Sequence, residues 1–132
     1  MLKTIKIDGK AVDFNITASF PLRFENQFNY DILQALLPTV AEIAEGIESA
    51  ENKDEELISI LNNLMSLKLT DIQKLIWTFA KAANKDIPEI VDWYDSFEEF
   101  PMIDIIVELA PCLIDSLISK KKLDKLIKQE KQ

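Results

Sequence analysis

The chain has 132 residues, of which 48% are hydrophobic and 29% charged. This length is enough for one domain with a hydrophobic core, and the composition is too apolar for a disordered chain. Its net charge of −8 argues against broad nucleic-acid binding, which needs a basic surface. The chain has no histidine and therefore lacks the commonest general base and metal ligand. It has one cysteine, Cys112, and so cannot form an internal disulfide. No apolar run approaches the roughly 18 residues of a membrane span, so we expect no membrane association and a cytoplasmic location.

The first element is a predicted β-hairpin over about residues 3–16. In "TIKIDGKAVDF", apolar residues alternate with polar ones on both sides of Asp8-Gly9. Asp-Gly between alternating runs favours a type I′ turn, which needs positive φ at both central residues. Since an isolated hairpin is only marginally stable, we expect Ile5, Ile7, Phe14 and Ile16 to lie against helices.

Helical spacing of apolar residues follows from residue 20 onward. Ser19 is a candidate N-cap for the first helix, and Pro38 is expected to start a new helix after a short one at "YDILQALL". Thr70 is expected to cap a later helix and Asn84 to end it in a left-handed conformation. Pro111 lies inside the last apolar pattern and predicts a kink or break near Ala110.

The predicted fold is therefore mostly α: a small N-terminal β-hairpin packed on a compact bundle of about five to seven helices. We place this single domain at residues 1–119. Residues 120–132 form a basic tail that is expected to fray, since it reverses the charge of the domain before it.

Residues Asp86–Ser119 contain nine acidic residues and no basic one. Like charges at this density repel one another and reduce stability. Such a segment is either a solvated face of the domain or a surface that recognises a partner, and the sequence does not decide between them.

Three carboxylates of this segment, Asp92, Asp95 and Glu99, are candidates for acid–base chemistry. At 100° per residue they fall on one helix face, pointing away from Trp93 and Phe97, and this arrangement is what solvation predicts. The spacing of a calcium loop and the motifs of nucleotide-binding enzymes are absent. We therefore expect a protein that is not an enzyme, with no cofactor and no metal.

The aromatic residues of the same segment have two readings. Trp93, Phe97 and Phe100 recur at i, i+4 and i+7, and Ile90 extends the pattern. They form either a stripe that packs into the core or a partly exposed groove that accepts a partner helix, where large aromatics often dominate the binding energy. We take Trp93, Phe97 and Phe100, with Asp92, Asp95 and Glu99, as candidate partner-binding residues.

Several motifs in order resemble one protein family. The opening "KTIKIDGKAVDFNITASFPLRFENQF" is followed by "YDILQALL", and later by "LTDIQKLIWTFAKAANKDIPEIVDWYDSFEEFPMIDIIVEL". This order resembles the tail assembly chaperones of long-tailed bacteriophages and prophages of Gram-positive bacteria. Members of that family carry an "IDGK-x-V-x-F" hairpin, a "TP-x-R-[FY]" helix start and a "W-x-[DN]-x-F-x-x-F" segment, and the resemblance covers most of residues 3–110.

The resemblance implies a non-enzymatic protein that binds the tape-measure protein and tail-tube subunits, acts in the host cytoplasm and is absent from the finished virion. It also implies a possible longer frameshifted form, for which Lys120–Lys122 is a candidate slippery site. Two other classes stay open: an acidic phage-encoded inhibitor that binds a nucleic-acid-handling protein, and a hydrolase that uses the carboxylate stripe. The oligomeric state also stays open, and a homo-oligomer is possible.

Overall fold

A computed structural model describes residues 1–64 and 66–117, with the backbone alone for residues 41, 44, 47 and 64. Within them the chain forms a two-stranded antiparallel sheet followed by six helices, which confirms the predicted mostly α fold with an N-terminal hairpin. The elements in order are β1 (Leu2–Ile7), β2 (Lys10–Asn15), α1 (Phe20–Phe28), α2 (Leu33–Ser49), α3 (Lys53–Leu64), α4 (Leu69–Ala83), α5 (Ile90–Asp95) and α6 (Met102–Leu117).

The hairpin forms as its sequence predicts. Asp8 and Gly9 both have positive φ, 54° and 76°, as a type I′ turn requires. The register pairs Ile5 with Val12 and Ile7 with Lys10. One face of the sheet is consequently apolar, and β2 packs it against α4. The predicted burial of Ile5, Ile7, Phe14 and Ile16 is confirmed.

Helix α4 is the centre of the domain. Every side chain from Leu75 to Ala80 is buried, so the helix is enclosed on all sides over these six residues. The hairpin, α1 and α6 all pack on it, and α3 joins the domain through contacts with α2 and α6. The cysteine, Cys112, is buried on α6, as expected for a small apolar side chain.

Two prolines lie inside helices, so Pro38 does not start a new helix as expected, and α6 has no break at Pro111. Helix α2 runs through Pro38 and α6 runs through Pro111 without a break. The hydroxyl of Thr39, next to Pro38, donates to the carbonyl of Leu36 at 2.9 Å. Pro111 is exposed, so its ring lies on the solvent side of α6.

The predicted helix ends are less accurate than the helices. Ser19 stands at the N-cap of α1, but its hydroxyl contacts Thr17 and Arg23 instead of a backbone N–H group. Helix α4 begins after Lys68, and so Thr70 is not its cap. Asn84 ends α4 with an extended backbone, φ −145°, where a left-handed one was expected. The predicted tail at residues 120–132 lies outside the described residues.

Candidate functional site

Helix α5 carries the candidate residues, and it is shorter than the sequence pattern suggests. It ends at Asp95 because the Ser96 hydroxyl donates to the carbonyl of Trp93 at 2.6 Å, and the N–H of Phe97 bonds Tyr94 in a tighter turn. The expectation that Asp92, Asp95 and Glu99 share one helix face is therefore wrong, since Glu99 follows the helix. All three carboxylates are exposed.

The four aromatic residues after Ile90 form one cluster, which we call the α5 aromatic cluster: Trp93, Tyr94, Phe97 and Phe100. The Trp93 ring lies 5.2 Å from that of Phe97 and 5.5 Å from that of Phe100, in edge-to-face arrangements. Trp93 is only 4% exposed, whereas Phe97 and Phe100 are half-buried. Trp93 is thus a core residue, and the other two side chains cover it.

Three hydrogen bonds fix α5 and its approach along α4. The indole N–H of Trp77 donates to the carbonyl of Pro88 at 3.1 Å, and the Lys81 ammonium donates to that of Ile87 at 3.0 Å. At the other end of α5 the Tyr94 hydroxyl donates to the carbonyl of Gln73. Burial raises the pKa of the Tyr94 phenol well above its usual range, so the hydroxyl keeps the proton that makes this bond.

The hairpin supports the same segment from the opposite side. The N–H of Glu98 donates to the carboxylate of Asp8, in the hairpin turn, at 3.1 Å. The ammonium of Lys10 lies 5.6 Å from the centre of the Phe97 ring, within range of a cation–π interaction. The loop after α5 is therefore held between the hairpin and α4.

An open groove runs between α4 and α5, with a volume of about 330 Å³; we call it the α4–α5 groove, and it is lined by Thr70, Gln73, Lys74, Ile90, Val91, Tyr94 and Asp95. Val91 is 67% exposed, which is high for a valine on an ordered helix. Leu69, next to Thr70, is 53% exposed. Of the six candidate partner-binding residues, Asp95 lines this groove and the other five do not, because the aromatic candidates lie on the buried side of α5 and in the loop after it.

Exposed carboxylates are frequent in the segment that contains α5 and α6, and one of them, Asp95, lines the groove. All nine carboxylates between residues 86 and 117 are exposed, and no lysine or arginine lies among them: Asp86, Glu89, Asp92, Asp95, Glu98, Glu99, Asp104, Glu108 and Asp115. The one basic residue that lines the groove is Lys74. Its ammonium lies 4.9 Å from the centre of the Tyr30 ring and 5.3 Å from that of Phe28. Both distances are within range of a cation–π interaction, which stabilises the positive charge.

The described part of the chain contains no group of three or more His, Cys, Asp or Glu residues that could hold a metal ion. Among the same residues no buried side-chain nitrogen or oxygen lacks a hydrogen-bond partner. The helices described there include none that is long and apolar enough to span a membrane. The residues that line the groove are partly apolar and include one carboxylate, Asp95, and one ammonium group, Lys74.

Comparison with other proteins does not assign the chain to a family: no protein-family model, no curated protein and no solved structure matches it.

Proposed function

We propose that this protein is a phage tail assembly chaperone, which binds the tape-measure protein and tail-tube subunits during tail morphogenesis without catalysing a reaction. The observation that carries the proposal is the α4–α5 groove, where Val91 is exposed beside the half-buried Ile90 and Tyr94. The order of sequence motifs that resembles this family supports it independently. In this role the protein acts in the cytoplasm of the bacterial host and leaves before the virion is complete.

A groove of this kind suits a helical client. An amphipathic helix places apolar residues three and four positions apart, and such a stripe fits a shallow apolar groove. Tape-measure chains are long and rich in helices that lack an apolar partner until the tube encloses them. The carboxylate of Asp95 in the groove would favour clients with basic flanks, and the net charge of −8 would keep client-loaded chaperones apart by repulsion.

The proposal is tested by pull-down of the tape-measure protein, co-expressed with the tagged chain, at low and moderate salt. We expect retention of the wild type and a loss of at least about tenfold in affinity for Val91→Lys, since a lysine removes apolar contact where partner residues often contribute 1–2 kcal/mol or more. Leu22→Lys is the matched control, because Leu22 is 65% exposed and lies on α1. Absence of retention for the wild type at both salt concentrations would refute the chaperone proposal.

The acidic surface favours one alternative, an inhibitor that binds a basic nucleic-acid-handling protein. The segment from Asp86 to Leu117 carries nine exposed carboxylates and no lysine or arginine, so it offers negative charge to a basic surface that normally binds a nucleic-acid backbone. This alternative predicts binding that weakens steeply with salt and does not depend on Val91, whereas binding in the groove depends on both charge and apolar contact. The same pair of variants therefore separates the two functions.

A further inference from the structure

We propose that a cleft between α1 and α4 binds a short acidic peptide segment of a partner protein. We call it the α1–α4 cleft; its volume is about 230 Å³, and it is lined by Arg23, Asn26, Gln27, Trp77, Thr78 and Lys81. It shares no lining residue with the α4–α5 groove. The proposal therefore goes beyond the proposed function and does not rest on it.

The charged residues that line the α1–α4 cleft are both basic, in a chain whose net charge is −8. Other clefts of the described residues combine both signs: Lys74 and Asp95 line the α4–α5 groove, and two lysines and two glutamates line a cleft between α3 and α6. A third cleft, beside β2, is lined by Lys10 and Asp13. Charge complementarity at the α1–α4 cleft thus selects a ligand that carries carboxylates.

Both basic side chains of the cleft are held in place by hydrogen bonds. Nε of Arg23 donates to the Ser19 hydroxyl at 3.1 Å, which leaves the two terminal amino groups of the guanidinium for a carboxylate. The Lys81 ammonium donates to the carbonyl of Ile87 at 3.0 Å and lies 5.8 Å from the centre of the Trp77 ring. An ammonium has further N–H donors for a ligand. Because both cations are positioned in advance, a ligand loses less free energy in ordering them.

The other lining groups favour a peptide over a phosphate ion. Asn26 and Gln27 are exposed, and each amide offers a donor and an acceptor, which match the N–H and C=O groups of a peptide backbone. A phosphate offers oxygens alone and uses only the donors. The cleft is lined over residues 23–27 of α1 and 77–81 of α4, so each wall is about 6 Å long. About two extended residues cover that length, so a pair of acidic residues would provide one carboxylate for each cation.

A second copy of this chain is a weaker candidate for the occupant. It carries nine exposed carboxylates between residues 86 and 117. Two chains with a net charge of −8 repel each other, however, whereas a partner that is acidic only locally avoids most of this repulsion. At physiological ionic strength, exposed charges more than about 8 Å apart are largely screened, so contacts inside the cleft outweigh the net charge of this chain. The expected occupant is therefore a local acidic segment in another protein.

The test is an NMR titration of the full isotope-labelled chain with a synthetic peptide that carries Asp-Glu-Asp between glycine and serine residues. The two tryptophans provide an internal comparison, because Trp77 lines the cleft and Trp93 lies in the α5 aromatic cluster. We expect the indole signal of Trp77 and the side-chain N–H signals of Arg23, Asn26 and Gln27 to shift and saturate, and the indole signal of Trp93 to stay in place. A peptide with Asn-Gln-Asn at its centre should cause no such shifts.

Charge-removing variants locate the binding site. Arg23→Gln and Lys81→Gln should each weaken binding of the acidic peptide about threefold to fivefold, the effect of one partly exposed ion pair. Lys6→Gln is the matched control, because it removes the same charge from an exposed position on β1 and should leave the affinity nearly unchanged. Since Arg23 is exposed, Arg23→Gln keeps the test decisive even if Lys81→Gln, which loses the bond to Ile87, destabilises the domain.

Several results would overturn the proposal. They include the absence of shifts at the cleft, equal shifts with the neutral peptide, and equal losses for Lys6→Gln and Arg23→Gln, which would reduce binding to an effect of net charge. Saturation of the same signals by inorganic phosphate at the peptide's concentrations would assign the cleft to a phosphate. Self-association of the peptide-free chain that Arg23→Gln abolishes would assign it to a second copy. No tape-measure protein enters this experiment, so its outcome is separate from that of the pull-down.

Discussion

Replacing Trp93 by alanine should strongly destabilise the domain, because this side chain is a core residue. It is 4% exposed, and its ring is in edge-to-face contact with those of Tyr94, Phe97 and Phe100 at 4.9–5.5 Å. Truncating a buried tryptophan costs about 3–5 kcal/mol. Domains of this size have a free energy of unfolding of about 5–15 kcal/mol, so the variant should lose between about a fifth and all of its stability.

Burial also predicts the loss of unfolding free energy for alanine substitutions at two residues near Trp93. Phe100 is half-buried, and Phe100→Ala should cost about 1–3 kcal/mol. Val91 is two residues from Trp93 but 67% exposed, and Val91→Ala should change the free energy of unfolding by less than about 0.5 kcal/mol. The order Trp93, Phe100, Val91 therefore follows burial.

Urea denaturation followed by far-UV circular dichroism measures the free energy of unfolding of all three variants. Tryptophan fluorescence is less suitable, because Trp93→Ala removes one of the tryptophans that give the signal. A loss below about 1 kcal/mol for Trp93→Ala would refute the assignment of Trp93 to the core. So would a Trp93→Ala protein with an unchanged melting temperature that no longer binds the client. In that case the aromatic stripe would be the binding surface, as the sequence pattern allowed.

Three further predictions test the packing of the domain. Gly46→Ala should destabilise it by about 1–3 kcal/mol in thermal denaturation, because the new Cβ would lie 2.8 Å from the Cβ of Ser59, and adding Ser59→Gly should recover most of the loss. Tyr94→Phe should cost about 1 kcal/mol in urea, because it removes the bond to the Gln73 carbonyl; a loss equal to that of a core truncation would contradict this estimate. Desolvation and the neighbouring Asp71 raise the pKa of Tyr30 to about 12 in the folded protein. As the pH rises above about 10, the unfolded chain therefore loses this proton before the folded protein does. The free energy of unfolding should consequently fall between about pH 10 and about pH 12. Tyr30→Phe should reduce that fall in denaturation curves between these pH values, and an identical fall in both proteins would contradict the assignment.

The hairpin could be predicted because its information is local. The Asp8-Gly9 pair supplies the positive φ values of the turn, and the alternation around it decides which face is buried. No distant residue is needed to choose the register. The helices were likewise found from their apolar spacing, which depends only on neighbours along the chain.

Whether the two prolines interrupt their helices could not be predicted from local sequence rules. A proline interrupts an isolated helix, but the apolar positions continue at helical spacing across Pro38, from Leu36 to Val40 and Ile43, and all three are buried. Burying this continuous stripe outweighs one lost hydrogen bond. The same holds for Pro111 in α6, which buried residues flank on both sides.

The position of the groove was missed for a related reason. Helical spacing from Trp93 to Phe100 assumes that α5 continues, whereas the hydroxyl of Ser96 ends it at Asp95 and the chain folds back over Trp93. The spacing of the aromatic residues in the sequence therefore reflects a small hydrophobic cluster, in which the residues after α5 cover Trp93. Once Trp93 faces the core, helical geometry turns Val91 about 160° away from it, since two residues differ by 200° around the axis. The exposed side of α5 is then the one beside α4, and Val91, which no motif marks, is the residue whose substitution best distinguishes a client groove from an inert surface.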